Sequence, residues 1–234
     1  MPTGIGGEKL WLCPSLDDSA DDLSGNCNHG TYNGGMGTIN LSGSGGSKAY
    51  DFDGSNDYIS LSQLIDSSYS AIAFSAWVYV DLWGHNDVWI QQGTNPRAIR
   101  ISTRGQGVIS DGFSVAMFGA GVNDIYSGAT SVGSTGSWHH WLFQSASGGS
   151  GSLYVDGVVQ SGNWTSGTSN INGTTYIGAS PSGEYADIKM DDIRVFDQTL
   201  SSSDITALAS QRGYEPAPSG SIPHALSSPF HPLG

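Results

Sequence analysis

The sequence predicts an all-β fold in which two antiparallel sheets form a sandwich, with one short C-terminal helix. The first observation is composition, because the 234 residues include 34 glycines and only 12% charged residues, a mix that favours tight turns over long helices. The second is an apolar fraction of 37%, which is sufficient for one packed core. The third is alternation of apolar and polar residues, broken by Gly and Ser every ten to twenty residues or so, as in a jelly roll.

The clearest alternation is FSAWVYV at residues 74–80, which predicts a central strand. One face of this strand carries Phe74, Ala76, Val78 and Val80. The opposite face carries Trp77 and Tyr79. Since both faces are apolar or aromatic, we expect the core beneath the strand and a covered or ligand-facing surface above it.

Further segments with strand character follow the same rule. They are AYDFDG, DYISL, DVWIQQ, AIRIST, FSVAMFG, SWHHWLFQ, SLYVDGVVQ, TTYIGA and DIRVFD. Within SLYVDGVVQ, Asp156 and Gly157 lie between two apolar stretches, and an Asp-Gly pair readily adopts the positive φ angles of a two-residue hairpin turn. The sequence therefore predicts a tight hairpin at this pair.

One short helix is predicted at LSSSDITALASQRG. Ser201 and Asp204 have the spacing of a capping box at its start, and Gly213 suits its end. Ile205 and Leu208 then form its inward face.

The last residues differ from the rest of the chain, with five prolines in EPAPSGSIPHALSSPFHPLG. We therefore divide the chain into a sandwich domain at 1–212 and a Pro-rich tail at 213–234, which is neither helix nor inner strand. The tail is predicted to be an attachment segment that docks onto the domain or a neighbouring subunit. Its apolar anchors are Ile222, Leu226, Phe230 and Leu233.

Six motifs in order resemble the laminin-G-like jelly-roll family, which is related to the concanavalin A-like lectins and glucanases and to the pentraxins. They are LWLCPSLDD with DLSGNCNHGTYNGG, AYDFDGSNDYISL, FSAWVYV, SWHHWLFQ, LYVDGVVQ and MDDIRVFDQTLSSSDITAL. The resemblance covers about residues 9–212 and implies a concanavalin A-like jelly roll. The same motifs also resemble those of laminin-G-like domains in bacteriophage virion proteins.

The net charge of −13 repels a phosphate backbone, so we expect no nucleic-acid partner. Arg97, Arg100 and Arg104 are clustered in sequence, but alternation predicts that they belong to a solvated face rather than a binding patch. No apolar run reaches the ~20 residues that a membrane span needs. Cys13 and Cys27 either pair or stay free, since two cysteines alone do not decide their separation.

Catalysis is not expected from the acidic residues. Related glucanases use two carboxylates on one strand, whereas Glu8, Glu184 and Glu215 are scattered here. Asp191 and Asp192 are adjacent, which in a regular strand directs them to opposite faces, and one of them is expected to brace a loop. The sequence therefore predicts a protein that is not an enzyme.

Calcium is a candidate cofactor, because acidic loops offer the oxygen ligands that this ion prefers. One candidate set is Asn86 and Asp87, whose position resembles that of the calcium pair of pentraxins, together with Glu184 and Asp187. The alternative set lies in the acidic opening. It consists of Asp17, Asp18, Asp21 and Asp22, near Asp53 and Asp57. Ordinary turn-forming hydrogen bonds are the competing interpretation of both sets.

Aromatic residues beside polar loops are candidates for stacking on a sugar or anchoring a protein. They are Trp83, Trp89, Tyr126 and Trp164. The histidines His29, His139 and His140 are interpreted as packed or hydrogen-bonded residues instead of ligands.

Together these features predict a non-catalytic binding protein. The start of the sequence, MPTGIGGEKLWLCPSLDD, does not resemble a secretory signal, so we expect a virion surface protein, either capsid decoration or fibre, released with its particle. Its predicted partners are capsid or other virion proteins, further copies of itself in a symmetric oligomer, and a host-surface glycan. The alternative is a free extracellular, calcium-dependent carbohydrate-binding module, and a glycoside hydrolase ranks last.

Overall fold

A computed structural model describes residues 5–40, 48–81, 87–94, 96–103, 112–119, 123–126, 135–161, 164–169, 172–210 and 212. Within these ranges the chain forms antiparallel strands and one short helix. In chain order they are β1 (Glu8–Leu12), β2 (Thr31–Asn33), β3 (Gly37–Asn40), β4 (Lys48–Asp53), β5 (Tyr58–Leu61), β6 (Ala71–Val80), β7 (Val88–Gln92), β8 (Ile99–Thr103), β9 (Gly112–Met117), β10 (Asn123–Tyr126), β11 (Trp138–Ala146), β12 (Ser152–Val155), β13 (Val158–Val159), β14 (Thr175–Ile177), β15 (Asp187–Phe196) and α1 (Ser202–Ser210).

The strands form two sheets that pack face to face. Sheet I has the order β13-β12-β11-β6-β15-β4-β3, and β1 joins it by pairing with β15. Sheet II has the order β10-β9-β8-β7-β14-β5-β2. Strands distant in sequence are neighbours in each sheet, as in a jelly roll, which confirms the predicted fold class.

Strand β6 is central to sheet I, as FSAWVYV predicts. It pairs with β11 on one side and with β15 on the other. Its core face is fully buried in the main hydrophobic cluster, at Phe74, Ala76, Val78 and Val80. Trp77, on the opposite face, is half-buried because it packs on the His140 ring and donates from Nε1 to the Leu208 carbonyl of α1 at 3.2 Å. The outer surface of sheet I is therefore partly covered.

Helix α1 provides this cover and begins at the predicted capping box. The Asp204 N–H donates to Ser201 Oγ at 3.3 Å, while the Ser201 N–H donates to Asp204 Oδ2 at 3.2 Å. Ile205 and Leu208 are buried as predicted, in a cluster with Ala73, Leu142 and Phe196 of sheet I and with Leu200 from the segment before the helix. Burial of one such aliphatic side chain contributes about 1.5–3 kcal/mol, so packing rather than helix propensity holds this nine-residue helix.

The predicted hairpin at Asp156 and Gly157 is confirmed, since both residues have positive φ, 50° and 78°, between β12 and β13. Strands β2, β3 and β10 were not predicted as strands. All three are short edge strands with polar or glycine-containing sequences, so alternation, which depends on one buried face, is weak in them.

The adjacent carboxylates of β15 do not separate as a regular strand predicts. The strand has an irregularity after Asp191, and Asp192 has a φ of 49°, so both side chains are buried near β1. Asp192 accepts from Trp11 Nε1 at 2.6 Å and pairs with Arg194. These two aspartates brace the junction of β1 and β15 inside the protein.

Cys13 is buried and Cys27 is exposed, and both are free. No helix in the described part of the chain is long and apolar enough to cross a membrane.

Candidate functional site

The outer face of sheet II carries an exposed aromatic surface. In β14, Thr175 and Ile177 point into the core, so the alternation of the strand directs Tyr176 outward. Tyr176 lies in register with Ser60 of β5 and Gln91 of β7. Tyr58, two positions before Ser60, shares this outward face.

Three tyrosines form what we call the tyrosine platform: Tyr58, Tyr176 and Tyr185. The ring centroid of Tyr58 is 5.7 Å from that of Tyr176 and 6.3 Å from that of Tyr185, with tilted planes in both pairs. All three side chains are half-buried, so each is held in place while part of its ring faces solvent. The platform is therefore ordered and accessible at once.

Two adjoining pockets open at the platform. The first, of about 150 Å³, is lined by Tyr58, Tyr176, Ala179, Ser180, Pro181, Gly183 and Tyr185. The second, of about 250 Å³, is lined by Gly93, Thr94, Pro96, Asn172, Gly173, Thr174, Tyr176 and Pro181. Because they share Tyr176 and Pro181, they form one shallow groove with aromatic, hydroxyl and amide groups. Each is smaller than the ~300–1,000 Å³ of an enclosed ligand cavity, so the groove suits an extended ligand lying on the surface.

The loop at 180–185 brings Tyr185 to the platform. The N–H groups of Ser182 and Glu184 donate to Ser180 Oγ, and the Ser180 N–H donates to the Glu184 carbonyl at 2.9 Å. The Glu184 carboxylate then receives two hydrogen bonds from Arg100 of β8, at 2.9 and 3.2 Å. Arg100 holds the pKa of Glu184 below its usual value, so the carboxylate stays ionised.

Arg100 itself is buried, and the prediction of a solvated face is wrong for it. Arg100 NH1 donates to Gln91 Oε1 at 2.5 Å in addition to Glu184. A guanidinium is buried here because the folded-over loop supplies its counterion, which is a contact that the local sequence does not contain.

Three of the four residues in the first calcium set are described, and two of their carboxylates are engaged with the protein. Asp87 is fully buried, and its Oδ1 accepts from the Asp187 N–H at 2.9 Å while its Oδ2 accepts from Thr103 Oγ1 at 3.1 Å. Glu184 is bound to Arg100, and Asn86 lies outside the described residues. Asp87 is therefore an internal brace, because both of its oxygens already accept hydrogen bonds from the protein.

The alternative acidic set is also engaged with the protein. Asp18 contacts Lys48 and Thr38, and Asp22 accepts from the N–H groups of Trp11 and Asn28 at 2.9 Å each. Across all described residues, no group of three or more His, Cys, Asp or Glu side chains is arranged to hold a metal ion.

Two of the four aromatic ligand candidates are corrected by the structure. Trp89 is completely buried and Trp164 is 2% exposed, so neither ring is available for stacking on a ligand. Trp89 packs between Phe113 and Trp141 in the core. The polar residues beside Trp89 in the sequence do not predict its exposure, because its side chain lies on the face of β7 that packs against sheet I. Trp83 lies outside the described residues, as does the side chain of Tyr126.

The predicted attachment residues of the tail also lie outside the described residues. They are Ile222, Leu226, Phe230 and Leu233. The histidines agree with their interpretation: His140 Nε2 and Ser75 Oγ are 2.8 Å apart, and His139 Nδ1 is 2.7 Å from Asp156 Oδ2.

None of the platform tyrosines is among the ligand residues predicted from the sequence. A usable signal existed, since Tyr58 in YISL and Tyr176 in TYI occupy the outward positions of alternating strands. An aromatic residue at an outward strand position is partly exposed unless something covers it. Tyr185 lies in a loop instead of a strand, so no alternation in the local sequence predicts that it joins the platform.

Two packed sheets with an accessible aromatic groove on one of them define a jelly-roll β-sandwich domain. A family model of the concanavalin A-like lectin/glucanases superfamily, of the laminin-G type, matches residues 53–206. The match covers well over half of the chain, and the protein therefore belongs to this superfamily. A comparison with curated protein sequences gave no significant match.

Solved structures show the same fold at low sequence identity. Domain 4 of AbnA, an extracellular GH43 arabinanase of Geobacillus stearothermophilus, solved with arabinotriose, has a TM-score of 0.67 and 19% identity over 86% of this chain and 98% of that one. The receptor-binding domain of the botulinum neurotoxin C/D mosaic serotype has a TM-score of 0.67 and 14% identity over 87% of this chain. The binding domain of Paraclostridial Mosquitocidal Protein 1 has a TM-score of 0.66 and 16% identity over 87% of this chain. This chain spans about half the length of the two toxin domains, 51% and 52%.

Proposed function

We propose that this protein is a non-catalytic glycan-binding domain that holds its ligand on the tyrosine platform. The main support for this proposal is the set of three partly exposed tyrosine rings that lie along one shallow groove. The apolar face of a sugar ring packs on an aromatic ring, while its hydroxyls hydrogen-bond to polar groups beside it. Ser180, Thr94, Thr174 and Asn172 offer such groups along the two pockets.

The groove lacks the features of a glycosidase centre as far as its described lining extends. Glycoside hydrolysis uses two carboxyl groups about 5–9.5 Å apart, one of which must be protonated to act as an acid. None of the described pocket-lining residues is acidic. The nearby Glu184 accepts hydrogen bonds from Arg100, which lowers the pKa of Glu184 and disfavours its protonated form.

The structural neighbours support binding as the general role. One is domain 4 of an arabinanase, solved in complex with arabinotriose, and others are binding domains of toxins, including a botulinum domain in complex with SialylT. Fold similarity at this identity leaves the ligand of the present protein to its own residues.

The test is a titration with arabinotriose and a panel of neutral gluco-, galacto- and xylo-oligosaccharides, using wild type, Tyr176→Ala and Tyr79→Ala. Tyr79 is the matched control, since it is a half-buried tyrosine on the outer face of sheet I, packed on Trp138. We expect Tyr176→Ala to weaken binding about tenfold and Tyr79→Ala to preserve it. Equal affinities for the two variants, or no binding across the panel, contradicts the proposal.

At a finer level we propose that the domain is displayed on a virion surface, where the glycan is a host receptor. This rests on the resemblance of the sequence motifs to bacteriophage domains and on the Pro-rich tail at 213–234. Mass spectrometry of purified particles tests it, because a decoration or fibre protein is present in multiple copies. Deletion of 214–234 should then abolish attachment to the particle while glycan binding by the domain persists.

A further inference from the structure

We infer that Asn172 is a site of spontaneous deamidation, which places a carboxylate in the shallow groove beside the tyrosine platform as the protein ages. Asn172 and Gly173 both line the second pocket, and both are exposed. Water is the only co-reactant, so the modification needs no enzyme. The modification is independent of the proposed function, whereas its effect on glycan binding rests on that function.

The chain contains two Asn-Gly pairs, Asn33-Gly34 and Asn172-Gly173. In such a pair the backbone nitrogen of the glycine can attack Cγ of the asparagine, since glycine has no Cβ to hinder the approach. The new N–Cγ bond forms as the Cγ–Nδ2 bond breaks, and the amide leaves as ammonia with the proton of the attacking N–H. Water then opens the succinimide ring at either carbonyl, which gives aspartate or isoaspartate.

The fold restrains the first of these pairs. Asn33 ends β2, which pairs with β5, and its Nδ2 donates to the Thr31 carbonyl at 2.8 Å and to Ser60 Oγ at 3.0 Å. A Cβ added to Gly34 lies 2.1 Å from the Asn56 carbonyl oxygen, so the backbone is closely packed there. Ring closure requires rotation of the asparagine side chain and of the peptide that follows it, and these contacts oppose both movements.

The second pair is held less tightly. It lies in the segment before β14, where Asn172, Gly173 and Thr174 are all exposed. A Cβ added to Gly173 lies no closer than 3.5 Å to its nearest neighbour, Gly93, so the peptide has room to move. Asn172 Oδ1 accepts from Gln63 Nε2 at 3.1 Å, which draws electron density away from the carbon under attack. This hydrogen bond is on the amide oxygen, whereas those of Asn33 hold the leaving nitrogen in place.

The product carboxylate changes the groove. It adds one negative charge at neutral pH to a groove whose described lining contains no charged residue. It also replaces an amide that can donate to a sugar oxygen with a group that only accepts. In isoaspartate the main chain gains one methylene before Gly173, which displaces Gly173 and Thr174 in the second pocket. Neutral glycans therefore bind the aged protein less tightly than the fresh protein.

The experiment incubates the full chain at pH 8, folded and in urea, and follows both Asn-Gly pairs by peptide mass spectrometry. Deamidation raises the mass of a peptide by about 1 Da. Asn33 is the internal control, because urea removes the restraints of the fold and exposes the intrinsic reactivity of both pairs. Asn172→Gln is the matched variant, since its longer side chain has to close a six-membered ring, which forms far more slowly. Fresh and aged samples of both proteins are then titrated with the neutral oligosaccharides.

We expect Asn172 to react about tenfold faster than Asn33 in the folded protein, and the two rates to approach each other in urea. Wild type should lose affinity several-fold on ageing, while Asn172→Gln keeps the affinity it has when fresh. Equal rates at Asn172 and Asn33 in the folded protein, or an unmodified Asn172, overturns the inference, as does unchanged affinity of protein shown to be modified. Fresh wild type that binds none of the neutral panel contradicts the proposed function instead, and the mass measurement then decides the modification by itself.

Discussion

Glu184 and Arg100 are 84 positions apart in the sequence, yet their side chains form a two-pronged ion pair with N–O distances of 2.9 and 3.2 Å. Arg100 is fixed in β8, whereas Glu184 belongs to the loop before β15. The pair therefore ties this loop to the outer face of sheet II. Tyr185 follows directly and completes the tyrosine platform, so the ion pair positions part of the proposed binding surface.

Replacing Glu184 with Gln should weaken both the fold and the site. The change keeps the shape but removes the charge that compensates the buried Arg100, and we expect a loss of about 1–3 kcal/mol in the free energy of unfolding. Oligosaccharide affinity should fall several-fold as Tyr185 loses its anchor. Urea unfolding and calorimetric titration measure the two effects, and unchanged affinity in a folded variant contradicts the positioning role.

Asp191 should make stability depend on pH. Burial, followed by the charge of Asp192, raises the pKa of Asp191 to about 7, well above the ~3.9 of a free aspartate. Between about pH 4 and pH 7 the Asp191 carboxyl stays protonated in the folded protein but is ionised in the unfolded chain. The free energy of unfolding therefore falls as the pH rises through this range. The slope is at most about 1.4 kcal/mol per pH unit.

Comparison of wild type with Asp191→Asn in urea unfolding at pH 5 and pH 8 measures this contribution. Burial lowers the pKa of His140 to about 4, which works in the opposite direction below about pH 6.5. Subtracting the variant from wild type at each pH removes the contribution of His140. An identical pH dependence in the two proteins contradicts the assignment.

Gly178→Ala should destabilise the protein by about 2–4 kcal/mol. Gly178 has a φ of 82°, and an added Cβ lies 2.2 Å from the ring of the buried Phe52. A left-handed backbone and an overpacked core both oppose the side chain. Gly37→Ala is the matched control, since an added Cβ there meets nothing within 4 Å. Similar melting temperatures for Gly178→Ala and Gly37→Ala would contradict the explanation by backbone strain and overpacking.

Asp87→Ala should destabilise the protein by about 2–4 kcal/mol, because it leaves the Asp187 N–H and the Thr103 hydroxyl without their buried acceptor. If Asp87 acts as an internal brace, this loss is the same with added calcium and with a chelator. Thermal melting under both conditions provides the measurement. Protection of wild type alone by calcium indicates instead that the predicted ion binds at this residue.

The sequence by itself determined the features that depend on neighbours along the chain. Alternation identified β6 and its core face, Asp156 and Gly157 identified a hairpin, and Ser201 with Asp204 identified the start of α1. Each of these depends on local backbone geometry or a capping hydrogen bond, which a few adjacent residues specify. The same local reasoning did not reveal the edge strands, whose sequences are too short for alternation of apolar and polar residues to be recognised.

Only the tertiary structure decided which residues form the candidate site. Trp89 lies beside polar loops in the sequence but points into the core, because the packing of sheet I against sheet II decides which face of β7 meets the hydrophobic core. Tyr58 and Tyr176 meet because β14 pairs with β5, and Arg100 meets Glu184 because a loop folds back over β7 and β8. Such contacts depend on strand order and register across the whole chain, so no local pattern specifies them.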